Sequence, residues 1–271
     1  MLYDRAMRHR IEPGAKVKLD KIDASDTGDY HDKAAAEKEL AEDVARLAEL
    51  QDRLYAENRR ALLVVLQAMD TGGKDGTIKH VMSGVNPTGC EVTSFKAPSE
   101  EELDHDFLWR IYRHLPRRGN IGIFNRSQYE DVLIVRVHEL VPPDEWKPRF
   151  DQINRFEKLI AEMGTTILKF YLHIDKAEQR RRIQARLDDP NKRWKFTQAD
   201  LAERKRWDDY QEAYEDAIAK TSTEWAPWFV VPANKKWYRN LVVARTIVKT
   251  LKQMDPQPPT ATIDLGKVHI D

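Results

Sequence analysis

The chain has 271 residues, 41% of them hydrophobic and 33% charged, with a formal net charge of zero, so it suffices for one large domain or two small ones and has no bulk attraction to nucleic acid. One cysteine, Cys90, excludes an internal disulfide framework and fits a reducing cytosol; with no obvious base beside it, it reads as a half-buried strand residue. The opening MLYDRAMRHR carries no apolar signal-peptide core and no run reaches the length of a membrane span, so a cytoplasmic protein without a membrane partner is expected.

Residues 1–31 are polar and turn-rich and are expected to run over the surface of a single domain covering 1–271. KAAAEKELAEDVARLAELQDRLYAENRR follows, with Leu40, Val44, Leu47, Leu50 and Leu54 at three- and four-residue spacing, the apolar stripe of a helix packed on a core. ALLVVLQA (61–68) is a continuous apolar run of strand length, which suits a parallel strand covered on both faces. KDGTIKHVMSG then reads as a helix, EVTSF (91–95) as a strand, and PSEEELDHDFLWRIYRHL as a helix whose Ser99 and Glu102 form a capping box. NIGIF (120–124), TTILKFYLHI (165–174) and PWFVVPA are further strands. DEWKPRFDQINRFEKLIAEM, DKAEQRRRIQARL, TQADLAERKRWDDYQEAYEDAIAKT and YRNLVVARTIVKTLKQM are helical, and DPQPPTATIDLGKVHID is a surface strap.

Strand–helix alternation repeated five times predicts an α/β fold, a three-layer sandwich with a five-stranded parallel sheet between helices. Right-handed crossovers place the loops after the strands along one edge, where ligands of open α/β sheets bind. The chemistry is therefore sought after residues 68, 95, 124, 174 and 231.

QAMDTGGKDGT follows the first strand and opens a helix, the context of a phosphate-binding loop. The usual pattern is G-x-x-x-x-G-K-[ST]; here Ala68 replaces the first glycine and Asp75 the final hydroxyl residue. Successive amides from Thr71 through Gly76 would cradle phosphate oxygens at the helix N-terminus. Gly72, Gly73 and Gly76 let the backbone approach, and Lys74 supplies a point charge. Two carboxylates in such a cradle, Asp70 and Asp75, repel bare phosphate and make sense with a metal between them, or as groups that position or deprotonate an attacking oxygen.

IFNRSQYEDVL, after the third strand, offers a second half of the site. Asn125 and Arg126 lie at the strand end, and Arg126 can grip phosphate with two donors. Glu130 or Asp131, one turn later, could hold Mg²⁺. EQRRRIQARLDDPNKRWKF, at about 178–200, gathers Arg182, Arg186, Lys192, Arg193 and Lys195 around a turn at Pro190, with Arg182 and Arg186 on one helical face. A cationic helix–turn–helix suits a lid that closes over phosphates, while Arg180 and Arg181 read as solvated. NPTGCEVTSFKAPSEEEL could line an acceptor pocket. His80, His105, His114, His138 and His173 show no metal-ligand spacing.

QAMDTGGKDGTIKHVMSGVNPTG, SFKAPSEEELDHDFLWR, FNRSQYEDVLIVRV, ARLDDPNKRWKF and WYRNLVVARTIVKTL, in this order and spacing, resemble the family-2 polyphosphate kinases from about residue 10 to the C-terminus. DTGGKDG, NRSQYED and the single domain look closest to the branch that phosphorylates AMP and ADP. The resemblance implies a P-loop kinase of the thymidylate-kinase type with a helical lid. It implies Mg²⁺-dependent, reversible transfer of the terminal phosphoryl group of inorganic polyphosphate to adenine nucleotides; Mn²⁺ is the other candidate ion. Asp70, Lys74, Arg126 and Asp131 would then be the catalytic core, with Asp70, Glu130 and Asp131 as metal ligands. Arg182, Arg186, Lys192, Arg193 and Lys195 would meet the polyphosphate chain. Gly84, Asn86, Pro87, Phe95, Arg110 and Asn125 would surround the acceptor nucleotide. Homo-oligomers, dimers or tetramers, are implied as well. The rival readings are an ATP-dependent nucleoside monophosphate kinase and a non-enzymatic polyphosphate or nucleotide sensor.

Overall fold

The computed structural model of the chain describes residues 7–260. A two-residue strand, β1 (Arg10–Ile11), precedes the long helix α1 (Lys33–Glu57). Asp32 caps that helix by accepting from the amides of Ala34 and Ala35, and Asn58 ends it in the left-handed conformation. Leu47, Leu50 and Leu54 form its buried stripe, as their spacing requires. β2 (Ala61–Gln67) is buried at every residue and leads into α2 (Lys74–Val81). Next come β3 (Cys90–Ser94), α3 (Glu100–Leu103), α4 (Trp109–Tyr112) and β4 (Ile121–Asn125). A 3-10 turn at Gln128–Val132 opens the run α5 (Ile134–Val137), α6 (Pro143–Trp146), α7 (Arg149–Glu162) and β5 (Thr165–His173). The last third contains α8 (Lys176–Asp188), α9 (Gln198–Lys205), α10 (Trp207–Thr221), β6 (Trp228–Pro232) and α11 (Lys236–Met254).

The strand order is β1-β6-β5-β2-β4-β3. The five expected strands pair in parallel throughout. A sixth is added by the segment expected only to cover the surface: Arg10 and Ile11 pair antiparallel with Phe229 and Trp228. Two residues are too few to carry a periodicity, so this strand had no signal in the sequence. Three expected single helices, over 98–115, 144–163 and 197–221, are each broken in two. In the first, Asp106 Oδ1 accepts from the Leu108 amide at 2.9 Å and turns the chain between α3 and α4.

β2 sits at the centre, between β5 and β4, where the chain switches direction across the sheet. Leu66 is in register with both Asn125 and Phe170, and Asn125 with Ser94. The loops after β2, β4 and β5 are thereby neighbours at one edge. One face of the sheet is covered by α11, packed along α1 and α2; the other carries α7 and α10.

On the α7 side lies a charged core. Lys169 donates to Glu157 Oε2 at 2.6 Å, to the Tyr129 hydroxyl at 2.7 Å and to the Thr221 carbonyl at 2.7 Å, and both ionised groups are fully buried. Glu157 also accepts from Gln128 and from the Tyr129 hydroxyl, so it anchors the 3-10 turn that carries Glu130 and Asp131. Burial raises the Glu157 pKa and lowers that of Lys169, each opposed by its partner. Lys169→Met leaves Glu157 buried without a cation. Such a variant is expected to lose about 3–5 kcal/mol of stability, measured by urea titration; a loss under about 1 kcal/mol would show that the pair is not needed.

Candidate active site

The loop between β2 and α2 is bent by two residues with positive φ, Thr71 (65°) and Gly73 (105°). A Cβ on Gly72 would collide with Ala68 Cβ and stand 2.8 Å from the Met69 carbonyl. A Cβ on Gly73 would collide with Arg239. The loop's carbonyls are drawn outward by side chains from the surrounding helices. Gln179 donates to the Asp70 carbonyl at 3.1 Å, and Arg182 donates to those of Thr71 (3.1 Å) and Gly72 (2.9 Å). Gly72 also accepts from Arg239 at 3.4 Å. The first-turn amides of α2 have no intrahelical acceptors, so they remain as donors for an anion.

Lys74 curls back so that Nζ donates to the Ala68 carbonyl at 3.1 Å. Its packed surroundings lower its pKa, and Arg126 adds to that, against the pull of Asp70 and Glu130. Arg126, itself at φ 65°, donates to Asp70 Oδ1 at 3.1 Å. Burial opposes its charge, but Glu130 and Asp70 hold its pKa above the ordinary value. Asn125 Nδ2 donates to Asp75 Oδ1 at 2.8 Å, tying the end of β4 to the phosphate loop. Asp70, Arg126 and Glu130 line one cleft of about 280 Å³. Gln179, Thr197, Asp200, Glu203, Tyr210 and Tyr214 line it too, from α8, α9, α10 and the segment before α9.

The structure thus brings together Asp70, Thr71, Gly72, Gly73, Lys74, Asp75, Gly76, Asn125, Arg126 and Glu130. Asp131 faces away, held by Arg149 at 3.3 Å and 3.8 Å from Arg110. The expected lid cations divide. Lys195 lies 3.9 Å from Asp75. Lys192 pairs with Asp189, and Arg193 Nε donates to the Leu187 carbonyl. Arg186 has no ion pair among the described residues. Arg182 is buried, bound by Glu178 and by four backbone carbonyls, so it braces the loop rather than lying free in a lid. The expected acceptor residues also divide. Phe95 and Arg110 are buried together, the guanidinium 5.6 Å from the ring centre. Gly84 packs toward Val44 of α1, while Asn86 caps a turn that begins at Pro87. Sequence reasoning missed Arg239, Glu203 and Tyr210. The signal for Arg239 was a cation at the head of the largely apolar run WYRNLVVARTIV.

Burial pushes the Asp131 carboxyl up to about 6, against the pull of Arg110 and Arg149. Between its unfolded value and about 6, the folded protein therefore holds a proton that the unfolded chain has lost. The contribution of Asp131 to stability falls as pH rises through that window. Asp131→Asn removes the penalty: relative to the parent it should gain up to about 3 kcal/mol between pH ~4 and pH ~7. Denaturant titrations at the two pH values test this, and an unchanged difference between the proteins would refute it.

Whether a divalent cation fits can be judged from the donor set. Among the described residues no three His, Cys, Asp or Glu side chains converge as an all-protein metal cage. Mg²⁺ in phosphoryl-transfer sites uses one or two carboxylates plus substrate phosphates and waters. Asp70 and Glu130 in the cleft are such a set. Two oxygens beside them in the chain or by hydrogen bond, Thr71 Oγ1 next to Asp70 and Gln67 Oε1 on the side chain that donates to Glu130, are buried without partners. The residues fit.

A family model described as Polyphosphate kinase 2 matches residues 30–259. The chain is 54% identical to a Meiothermus ruber protein named AMP/ADP-polyphosphate phosphotransferase, over 94% of this chain and 97% of that one. It is 47% identical to a Rhodopseudomonas palustris ADP-polyphosphate phosphotransferase, over 95% and 93% of the two chains. The crystal structure of polyphosphate kinase 2 from Arthrobacter aurescens TC1 superposes with a TM-score of 0.93 at 48% identity, covering 97% of this chain and 94% of that one.

Proposed function

The chain belongs to the polyphosphate kinase 2 family, and on that premise we propose that it passes the terminal phosphoryl group of polyphosphate to AMP and then to ADP, with Mg²⁺ as its ion. It is a phosphotransferase acting between inorganic polyphosphate and adenine nucleotides. The observation that carries the reading is the Asp70–Arg126 contact at 3.1 Å, which closes the acidic phosphate loop against the end of β4 beside the cleft. Acceptance of both nucleotides rests on the likeness to the Meiothermus ruber protein.

An oxygen of the acceptor phosphate attacks the terminal phosphorus of polyphosphate. The bond from that phosphorus to its bridging oxygen breaks, and a chain one phosphate shorter leaves with the electron pair. The α2 amides and Lys74 hold the donor phosphates; Arg126 spreads charge over the transferring group. Arg126 also fixes Asp70, so positioning and electrostatics suffice without a covalent enzyme intermediate. Asp70 and Glu130 would hold the cation, which when bound neutralises phosphate charge that the two carboxylates would otherwise repel. Asp75 and Lys195 join loop to lid at 3.9 Å.

The test is purified protein with Mg²⁺, long-chain polyphosphate and AMP, without ATP. ADP should appear first and ATP after it. ADP alone would remove the second acceptor, and ATP formed only from added ADP would remove the first. Turnover that begins only when ATP is supplied as donor would establish the monophosphate-kinase rival instead.

A further inference from the structure

Arg239 is 2% exposed, at the head of α11 and directly behind the phosphate loop. Its Nη1 donates to the Gly72 carbonyl at 3.4 Å. Its Nε and Nη2 both donate to the Asn240 side-chain oxygen, at 3.1 and 2.8 Å. The guanidinium lies so close to Gly73 that a Cβ there would overlap it, and 3.4 Å from where one on Gly76 would stand. Among the described residues no carboxylate pairs with it. The charge that acts on it is another cation, Arg182, whose own carboxylate is Glu178 at 2.6 Å. Burial and Arg182 together push its pKa down to about 9.

Buried charges are ordinarily paired, because an unpaired one loses its hydration without compensation. A hydrogen-bonded guanidinium whose protein partners are all neutral oxygens is therefore a destabilising element on its own. It persists where an anion completes it. The donor phosphates would sit at the first-turn amides of α2, on the other side of the glycines that touch Arg239. We propose that Arg239 is a positioning residue of the phosphate site: it holds Gly72 and Gly73 in the cradle conformation, and its charge is balanced only when polyphosphate occupies the loop. This rests on the polyphosphate reading of the cleft. Arg126 lines the cleft, and both it and Lys74 have Asp70 and Glu130 acting on them, whereas Arg239 acts through the backbone it supports.

The comparison is between the parent protein, Arg239→Met and Arg239→Lys. Thermal midpoints are measured without ligand and with long-chain polyphosphate plus Mg²⁺, and kcat and KM for polyphosphate are measured for each. The ligand-free midpoint of Arg239→Met should equal or exceed that of the parent, since an uncompensated buried charge has been removed. Its polyphosphate-induced rise in midpoint should shrink. Its KM for polyphosphate should rise roughly tenfold, the effect of a unit charge acting across one loop through a protein-like dielectric, with a smaller change in KM for the nucleotide. Arg239→Lys should recover most of the ligand-induced rise, because it restores the charge. A merely structural arginine predicts the opposite sign: a lowered ligand-free midpoint, or an unfolded Arg239→Met, with an unchanged polyphosphate-induced rise in whatever folds. Either result overturns the proposal. If the parent itself shows no midpoint rise with polyphosphate, the donor assignment has failed, and that outcome is separate from any difference among the variants.

Discussion

Lys74→Met is expected to lower the turnover of polyphosphate-driven ATP synthesis by roughly 10²–10³, the range seen when one preorganised donor to developing charge is removed. It should do so without loss of fold. Its ammonium donates to the Ala68 carbonyl and lies in surroundings that lower its pKa. Those surroundings already disfavour its charge, so an apolar side chain of similar length removes a cost along with the function. The thermal midpoint without ligand should be unchanged or slightly higher, and the loss should appear in kcat more than in the KM for nucleotide. Single-turnover measurement with saturating polyphosphate gives the chemical step directly. Undiminished turnover would remove Lys74 from the mechanism; a collapse of stability would mean that its bond to Ala68 holds the loop.

How much of this was legible in the sequence depends on whether the cause is local. The run Ala61–Ala68 has seven strand residues, all buried, because nothing polar interrupts it before Gln67. The glycines and Lys74 of the phosphate loop are local as well, since turn chemistry and helix start need only neighbours in the chain. The contact between Asp70 and Arg126 spans 56 residues, yet both ends of it were legible, because each sits at a strand terminus on the same sheet edge. The lid was harder. Arg182 and Arg186 share a helical face, but only packing decides that the first points under the loop and the second does not. Glu203 is the reverse case. Its stretch, AERKRW, reads only as part of a helix, and in the fold Glu203 lines the cleft while bound to the Tyr210 hydroxyl at 2.6 Å and to His138 at 2.9 Å. The turn that carries Glu130 and Asp131 shows the same limit. Both are acids at the start of one short 3-10 segment, and only the packing of α7, through Arg149, turns Asp131 away while Glu130 stays in the cleft.

Gly73→Ala should reduce phosphoryl transfer by more than about 100-fold, and two separable costs predict it. The first is conformational. At φ 105° an L side chain is strained, with a cost of about 1–2 kcal/mol. Gly14 isolates that cost, for its φ is 77° and nothing lies within 4 Å of where its Cβ would stand. Gly14→Ala is therefore expected to lose about 1–2 kcal/mol of stability and no activity. The second cost belongs to Gly73 alone: its Cβ would occupy the place of the Arg239 guanidinium, with Arg182 Nη1 only 3.5 Å away. Neither arginine can yield cheaply, since Arg182 is fixed by Glu178 and by loop carbonyls and Arg239 by Asn240. The loop must move instead, and the amides at the start of α2 move with it. If this is the cause, removing the obstacle should restore part of what was lost. In an Arg239→Ala background, Gly73→Ala should cost less stability than in the parent, with a coupling of about 0.5–3 kcal/mol, the range for residues in contact. Additive losses in that double-mutant cycle would leave only the backbone strain, and Gly73→Ala should then resemble Gly14→Ala in stability.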